Sequence, residues 1–177
     1  FSGLEDVPAD VLTQVLLNHV IAGEITSTNL VTLGNGYANT EAMGAGNNKM
    51  SIYFNTDNGV TFNGVSSVIS PDIFASNGVI HVVDEVIGLP SVVDFAIADP
   101  NFSVLVSALT RSDLTFDYVT ALSTPNGTSP APFTVFAPVN SAFEEISTVL
   151  ATLSAEQVAT VLTYHVVGAA NVRSTDL

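Results

Sequence analysis

The chain has 177 residues, 47% of them hydrophobic, and it carries 17 acidic residues against three basic ones. Its formal net charge of −14 at pH 7 would repel phosphate backbones and anionic membrane surfaces, so we expect no nucleic-acid binding. No apolar stretch approaches the roughly 20 residues that span a bilayer, so we expect no membrane insertion in this segment. The absence of cysteine excludes disulfides and thiolate metal ligands. The sequence opens on Phe1 without an apolar leader, so we expect a processed or excised piece of a longer protein.

The end of the sequence repeats its beginning. The motif LLNHVI around His19 returns as LTYHVV around His165, 146 residues later. With one inserted residue the match continues, so that residues 15–30 (the first repeat) correspond to residues 161–177 (the second repeat). A period of this length is the size of a domain and indicates an array of globular domains rather than a solenoid of short units.

In chain order, the first half is predicted to contain one helix followed by strands. Apolar residues at helical spacing, alternating residues and turn residues predict the following elements: a helix over 8–20, a loop rich in Gly and Asn over 34–48, a hairpin of strands 50–54 and 60–62 around a turn at 57–59, and strands over 65–69 and 79–87.

The second half is predicted to be mainly helical. Its predicted elements are a helix from a Ser91/Asp94 capping box through Ala98, a helix capped by Asn101 over the apolar run 102–109, a short helix over 114–122, a proline-rich loop over 123–132, a strand over 133–136, and a helix from a Ser154/Gln157 cap through His165. Strands and helices are segregated along the chain, which is typical of an α+β fold.

Two segments resemble the signature boxes of fasciclin (FAS1) domains. Residues 134–143 read TVFAPVNSAF and resemble the first box, whereas residues 77–90 read NGVIHVVDEVIGLP and resemble the second. Tyr164 and His165 look like the Tyr-His motif that the family places between the two boxes. The resemblance implies an α+β, FAS1-like fold, with strands in a wedge or sandwich packed beside several short helices.

The second box precedes the first, which reverses the order in the family. Residues 1–90 therefore look like the C-terminal half of one FAS1-like domain, with a Tyr-His-type helix, strands and the second box. Residues 91–177 look like the N-terminal half of the next domain. Three arrangements would complete these halves: a permuted single domain, exchange between chains that generates an open filament, or a longer tandem array of which this chain is a fragment.

Two departures from the family pattern fall in the first half. Asn18 precedes His19 where the family has an aromatic residue, so a binding role of that pair is not expected there. Gly88 is inserted before Leu89 and Pro90 at the end of the second box, where we expect it to loosen the exit from the strand.

All three histidines, His19, His81 and His165, lie on signature positions. We interpret each as a structural residue that holds neighbouring backbone by a hydrogen bond from its ring, and a binding role is the alternative. No cluster of histidines and carboxylates has metal-ligand spacing, so we expect no metal and no cofactor. Motifs of hydrolases, phosphate-binding loops and dinucleotide-binding folds are absent, so we expect no enzyme and no catalytic residues.

Two short segments are candidates for partner contact. Pro71, Asp72 and Ile73 resemble the acidic Asp-Ile element linked to integrin recognition in animal relatives, and ordinary turn chemistry is the favoured alternative. Tyr164 and His165 are candidates because they match the Tyr-His motif.

Two asparagines head glycosylation sequons, and one further segment resembles a calcium loop. Asn126 lies in the proline-rich loop and is the better glycosylation acceptor, since Asn101 is expected to cap a helix. Residues 55–59 read NTDNG but lack the distal glutamate of a calcium loop, so we interpret them as a hairpin turn.

The resemblance implies an extracellular or cell-surface protein used in adhesion and matrix assembly. We expect a module of a tandem FAS1 protein that acts by protein or glycan contact without catalysis. Its expected partners are neighbouring FAS1 domains, other copies of itself, or a surface protein or glycan. The alternative is a self-assembling subunit of an extracellular filament, and a small-ligand carrier would require an apolar pocket with convergent polar groups.

Overall fold

The computed structural model describes residues 7–150 and 152–176. The chain divides into two compact units, Phe1–Pro90 (the N-terminal unit) and Ser91–Leu177 (the C-terminal unit). This division falls at the end of the second box. The assignment of the two units to halves of neighbouring domains stays a prediction.

The N-terminal unit combines two helices with a five-stranded antiparallel sheet. The strands lie side by side in chain order, so each neighbour is reached by a short connection. The elements are α1 (Ala9–Leu17), α2 (Ser27–Leu33), β1 (Gly36–Met43), a 3₁₀ turn (Ala45–Asn47), β2 (Lys49–Asn55), β3 (Thr61–Phe62), β4 (Ser66–Ala75) and β5 (Gly78–Val83).

The loop predicted over 34–48 is wrong, because most of it forms strand β1. This strand pairs antiparallel with β2, with Tyr37 opposite Tyr53 and Asn39 opposite Ser51. Thr40 and Ala42 on β1 are fully buried. Pairing and burial against β2 therefore outweigh the low strand propensity of the Gly, Asn and Ala residues in this segment.

The predicted hairpin is confirmed, and it brings the core of this unit together. Phe54 of β2 lies opposite Phe62 of β3. The buried side chains of the core come from β2, the connection between β2 and β3, β3, helix α2 and the segment after β5: Leu30, Ile52, Phe54, Val60, Phe62 and Ile87. Helix α2, which was not predicted, begins with a capping box between Thr26 and Asn29.

The C-terminal unit is helical, with one two-stranded ribbon. Its elements are α3 (Val92–Ala98), a 3₁₀ turn (Pro100–Phe102), α4 (Ser103–Leu109), α5 (Tyr118–Leu122), β6 (Phe133–Val135), α6 (Asn140–Glu144), α7 (Ser147–Leu150), α8 (Ala155–Tyr164) and β7 (Val166–Gly168). Strand β7, which was not predicted, pairs antiparallel with β6. The core of the unit consists of buried side chains from α4, α5 and α8: Leu105, Ala108, Tyr118, Val158 and Leu162.

The capping boxes predicted for α3 and α8 are confirmed. The cap predicted at Asn101 is wrong. Asp99 accepts the N–H of Asn101 through its carboxylate at 3.0 Å, and Asn101 lies inside the 3₁₀ turn. Pro100 explains the difference, since proline is favoured at the first helical position and therefore makes the preceding aspartate the cap.

Candidate functional site

His19 joins helix α1 to the end of the second box. Its Nε2 accepts the backbone N–H of Ile87 at 3.0 Å, so Nδ1 carries the proton and donates to the carbonyl of Val15 at 2.8 Å. Ile87 belongs to the core of the N-terminal unit. The prediction that His19 holds backbone through its ring is confirmed.

Asn18 lies beside His19 and is fully buried. Its amide nitrogen donates to the carbonyl of Gly88 at 2.8 Å, and its amide oxygen accepts the hydroxyl of Thr40 at 3.1 Å. Asn18 and Gly88, the two residues that depart from the family pattern, are thus hydrogen-bonded to each other. The expectation that Gly88 loosens the chain is wrong, because its carbonyl is held by a buried amide.

His165 makes the same local contact as His19. Its Nδ1 lies 2.8 Å from the carbonyl of Val161, one turn earlier on α8. Among the residues that the structure describes, no hydrogen-bond partner faces its Nε2, the atom that in His19 accepts a backbone N–H. Tyr164 beside it is 88% exposed.

The two repeats are covered on opposite faces. Leu16 of the first repeat is 61% exposed, whereas the equivalent Leu162 is 6% exposed in the core of the C-terminal unit. Two residues further along the chain the relation reverses, since Asn18 is 0% exposed and the equivalent Tyr164 is 88% exposed. Strands cover one face of the first repeat, and helices cover the other face of the second.

Asp72 lies in strand β4 at a bulge, not in the turn that was predicted. Its backbone has a positive φ of 58°, and the register with β5 shifts around it. Its carboxylate accepts the N–H of Ser27 at 2.8 Å and also the Ser27 hydroxyl. These hydrogen bonds lower the pKa of Asp72, and the nearby His81 adds to the effect. The carboxylate therefore fastens the start of helix α2 to the sheet.

His81 is held on both sides of its ring, as predicted. Its Nδ1 accepts the N–H of Asp72 at 3.4 Å, so Nε2 donates to the carbonyl of Ile25 at 2.8 Å. Pro71 and Ile73, the other two residues of the candidate element, are exposed on either side of Asp72. The carboxylate of Asp72 is thus bonded to Ser27, whereas its neighbours Pro71 and Ile73 are exposed.

Strands β4 and β5 present an exposed apolar surface, which sequence reasoning missed. Ile73 of β4 lies directly opposite Ile80 of β5, and these side chains are 45% and 55% exposed. We call this surface the apolar ribbon, and it consists of the exposed side chains Ile73, Ile80 and Val82, which share one face of the two strands. Residues with helical or strand periodicity are usually assigned to a core, so only their exposure in the structure identifies them as a surface patch.

The N-terminal unit contains a cavity of about 440 Å³ with mainly apolar walls. Its polar lining residues are Asn18, His19 and His81. Each of these is already hydrogen-bonded to backbone within the unit. The cavity therefore offers apolar contact and lacks the convergent free polar groups that would orient a small ligand.

The remaining sequence candidates lie on the surface. Asn126 is exposed in the predicted loop, and Asn101 is exposed in the 3₁₀ turn. In the segment 55–59, Asp57 accepts hydrogen bonds from the side-chain amides of Asn35 and Asn55, which is the chemistry of a turn. Within residues 7–150 and 152–176, no three His, Asp or Glu side chains come together as a metal site would require.

In the described part of the chain, no single helix has the length and apolar composition to cross a membrane. One bent pair, Val92–Ala98 with Pro100–Leu109, has them by length and composition only.

Comparison with known proteins places these features in a family. The fasciclin domain model matches residues 2–90 and 100–177. A fasciclin-like arabinogalactan protein from Arthroderma benhamiae is 32% identical over 112 residues, which cover 63% of this chain and 24% of that protein. An uncharacterized protein from Synechocystis sp. is 40% identical over 82 residues, which cover 45% of this chain and 55% of that protein.

The fold is also found among solved structures. A FAS1 domain pair from the insect cell adhesion molecule Fasciclin I matches with a TM-score of 0.50 and 18% identity, over 88% of this chain and 55% of that chain. The chain thus spans little more than half, or less, of the proteins it matches. The two signature boxes, the α+β architecture and the family match agree, and the chain belongs to the fasciclin domain family.

Proposed function

We propose that this chain is an adhesion or matrix module of a tandem FAS1 protein at the cell surface or outside the cell. It acts by protein or glycan contact, without catalysis. Membership of the fasciclin family supports this proposal, as does the fold shared with a domain pair from an insect cell adhesion molecule. The similarity to a fasciclin-like arabinogalactan protein points to the same class of protein.

The apolar ribbon is the observation that carries the proposal. Ile73 and Ile80 lie directly opposite each other on β4 and β5, and Val82 extends the same exposed face. Contiguous exposed apolar side chains rimmed by polar residues are typical of protein interaction surfaces. The net charge of −14 keeps such a surface soluble and favours partners that are not themselves strongly acidic.

The candidate contact residues take different parts in this proposal. Pro71 and Ile73 belong to the exposed side of β4 and contribute apolar contact. Asp72 shapes the bulge that presents them, through its bonds to Ser27. Tyr164 and His165 are a separate candidate contact for a protein or glycan partner on the C-terminal unit, where Tyr164 is exposed and His165 is half-buried.

Adhesion of coated beads tests the contact surface. Beads carrying the chain are washed over immobilised extracellular matrix and over an immobilised glycan panel. Ile80→Ser should reduce bead retention severalfold, because it removes a large apolar side chain from the middle of the apolar ribbon. Val31→Ser is the matched control, since Val31 is exposed to a similar extent but lies on helix α2. Equal retention of the two variants, or no retention of the parent chain on either surface, contradicts the proposal.

A filament subunit is the second candidate function, and the opposite coverage of the two repeats favours it. Each repeat lacks on one face the cover that the other repeat has, so each leaves a face open to the half-domain of a neighbouring chain. Such a contact is heterologous and generates an open filament unless it closes into a ring. Light scattering over a wide concentration range tests this function, and a strictly monomeric chain at all concentrations rules it out.

A further inference from the structure

Helix α1 exposes the face that is covered in helix α8. The two helices correspond at the offset of 146 residues, and the matching positions of this face are Ala9, Thr13 and Leu16 on α1, and Ala155, Ala159 and Leu162 on α8. All three positions are exposed on α1, whereas on α8 they are half-buried or buried. Residues three and four apart lie on the same side of a helix, so each set forms one continuous stripe. The two helices thus carry nearly the same stripe, and α8 has a cover for it that α1 lacks.

Helices α4 and α5 cover the stripe of α8. We call their contact area the α4–α5 surface, and its buried side chains are Leu105, Ala108 and Tyr118. The hydroxyl of Tyr118 donates to the backbone carbonyl of Ala159 at 2.9 Å. Because this acceptor is a backbone group, Thr13 has the same acceptor to offer. Leu16 brings the same side chain as Leu162, so the α4–α5 surface provides α1 with the main contacts that it makes to α8.

One difference makes α1 the poorer fit. Thr13 carries a methyl group and a hydroxyl that Ala159 lacks, and the hydroxyl donates to the carbonyl of Ala9 at 2.7 Å. A larger side chain between two packed helices pushes them apart, which weakens their contact. In addition, α8 is tethered to its own α4 and α5, and a tether raises its effective concentration at the α4–α5 surface. Within one chain α8 therefore holds this surface, and α1 of another chain competes for it.

We infer that the exposed stripe of α1 is an interaction surface whose partner is the α4–α5 surface of a second copy of this chain. Docking is an exchange, because α8 must leave the surface when α1 enters. Exchange of equivalent elements is a low-cost route to oligomers, and a contact between two different surfaces continues from chain to chain. The inference rests on the filament function proposed above, and it names the surfaces that join the chains.

Thr13→Ala tests the inference without altering the C-terminal unit. It removes the atoms by which α1 exceeds α8 at this position, so the variant should associate severalfold more tightly than the parent chain. Thr32→Ala is the matched control, because Thr32 is also exposed and donates its hydroxyl to a carbonyl one turn earlier, but on helix α2. Sedimentation from micromolar to millimolar concentration measures association. Equal association of the two variants contradicts the inference.

Leu162→Ala gives a second test, because it loosens α8 and leaves the stripe of α1 complete. The competition then shifts toward α1, and association should strengthen by about tenfold or more. Adding Leu16→Ala should remove this gain. Adding Leu33→Ala instead should preserve it, since Leu33 is 70% exposed on helix α2, against 61% for Leu16. If both double variants keep the gain, or both lose it, the chains associate in another way and the inference is overturned.

Hydrogen exchange identifies the helix that is displaced. In the Leu162→Ala variant, a rise in protein concentration should increase exchange in α8 while α4 and α5 stay protected. Loss of protection in all three helices would show unfolding of the unit instead of exchange.

The outcomes for this contact and for the filament function can be told apart. If the parent chain assembles and Leu16→Ala leaves the assembly unchanged, the contact is refuted and the filament function stands. If the parent chain is monomeric and the Thr13→Ala variant associates through Leu16, the contact stands and the filament function fails.

Discussion

Asn18 and Gly88 each depart from the family pattern, and at the level of single residues they act together. The amide of Asn18, which is itself fully buried, reaches a carbonyl 70 residues away in the sequence. Sequence reasoning identified both positions but not their connection, because a side-chain bond across 70 residues leaves no local signal. His19, in contrast, was interpreted correctly, since a histidine among aliphatic residues must find partners for its ring nitrogens.

Asp72 gives a pH-dependent contribution to stability. Hydrogen bonds from Ser27 hold the pKa of its carboxyl below its ordinary value of 3.8. The contribution is therefore fully present above pH 3.8, and it is lost as the pH falls through the lower pKa of the folded state. Asp72→Asn should lower the thermal midpoint at neutral pH, and the difference from the parent chain should shrink in strong acid.

Ser27→Ala provides the control for this prediction. It removes the hydroxyl that donates to Asp72 while leaving the carboxylate, so it should abolish part of the same acid dependence. If Asp72→Asn shows the same acid dependence as the parent chain at every pH, the hydrogen bonds to Ser27 do not contribute as described.

Local sequence signals predicted some secondary-structure elements correctly and missed others. The capping boxes of α3 and α8 were found because all their atoms lie within four residues. Strand β1 was missed because its Gly, Asn and Ala residues carry weak local preferences and form a strand only when β2 is beside them. The helix cap predicted at Asn101 was wrong for a local reason, because Asp99 followed by Pro100 is itself a signal for the start of a helix.

The opposite coverage of the two repeats leads to a paired prediction. Leu162→Ala should destabilise the C-terminal unit by about 2–5 kcal/mol, because it removes a buried side chain from the core. Leu16→Ala, at the equivalent position, should change stability by less than about 0.5 kcal/mol because Leu16 is mostly exposed. Denaturant unfolding monitored by circular dichroism measures both. A similar cost for the two variants would show that Leu16 is covered in solution, as exchange between chains requires.

At the scale of the whole molecule, the buried side chains of residues 7–150 and 152–176 form two clusters, one in each unit. One cluster lies in the sheet of the N-terminal unit and the other between the helices of the C-terminal unit. Each unit also exposes large apolar side chains. This combination supports the prediction that the units are halves of neighbouring domains, because a completed domain would cover apolar surface that each unit leaves open.

Substitutions in the two cores should therefore act on different units. Phe54→Ala should increase amide exchange in strands β1 to β3, and Leu105→Ala should increase it in helices α4, α5 and α8. Each change removes contacts from its own cluster only, and effects at sites without shared partners are independent. Hydrogen exchange read by mass spectrometry localises both effects. Uniform loss of protection in both units after either substitution would contradict two independent cores.

The family, the α+β class, the hairpin and two capping boxes were all determined by the sequence itself, because each depends on residues that are close in the chain. Only the tertiary structure decided the hydrogen-bond partners of Asp72, a candidate contact residue, and of Asn18. It turned Asp72 toward Ser27, 45 residues away, and buried Asn18 against Gly88 and Thr40. Those bonds form only where separate strands and helices meet, and contacts of that range leave no mark in a local pattern of residues.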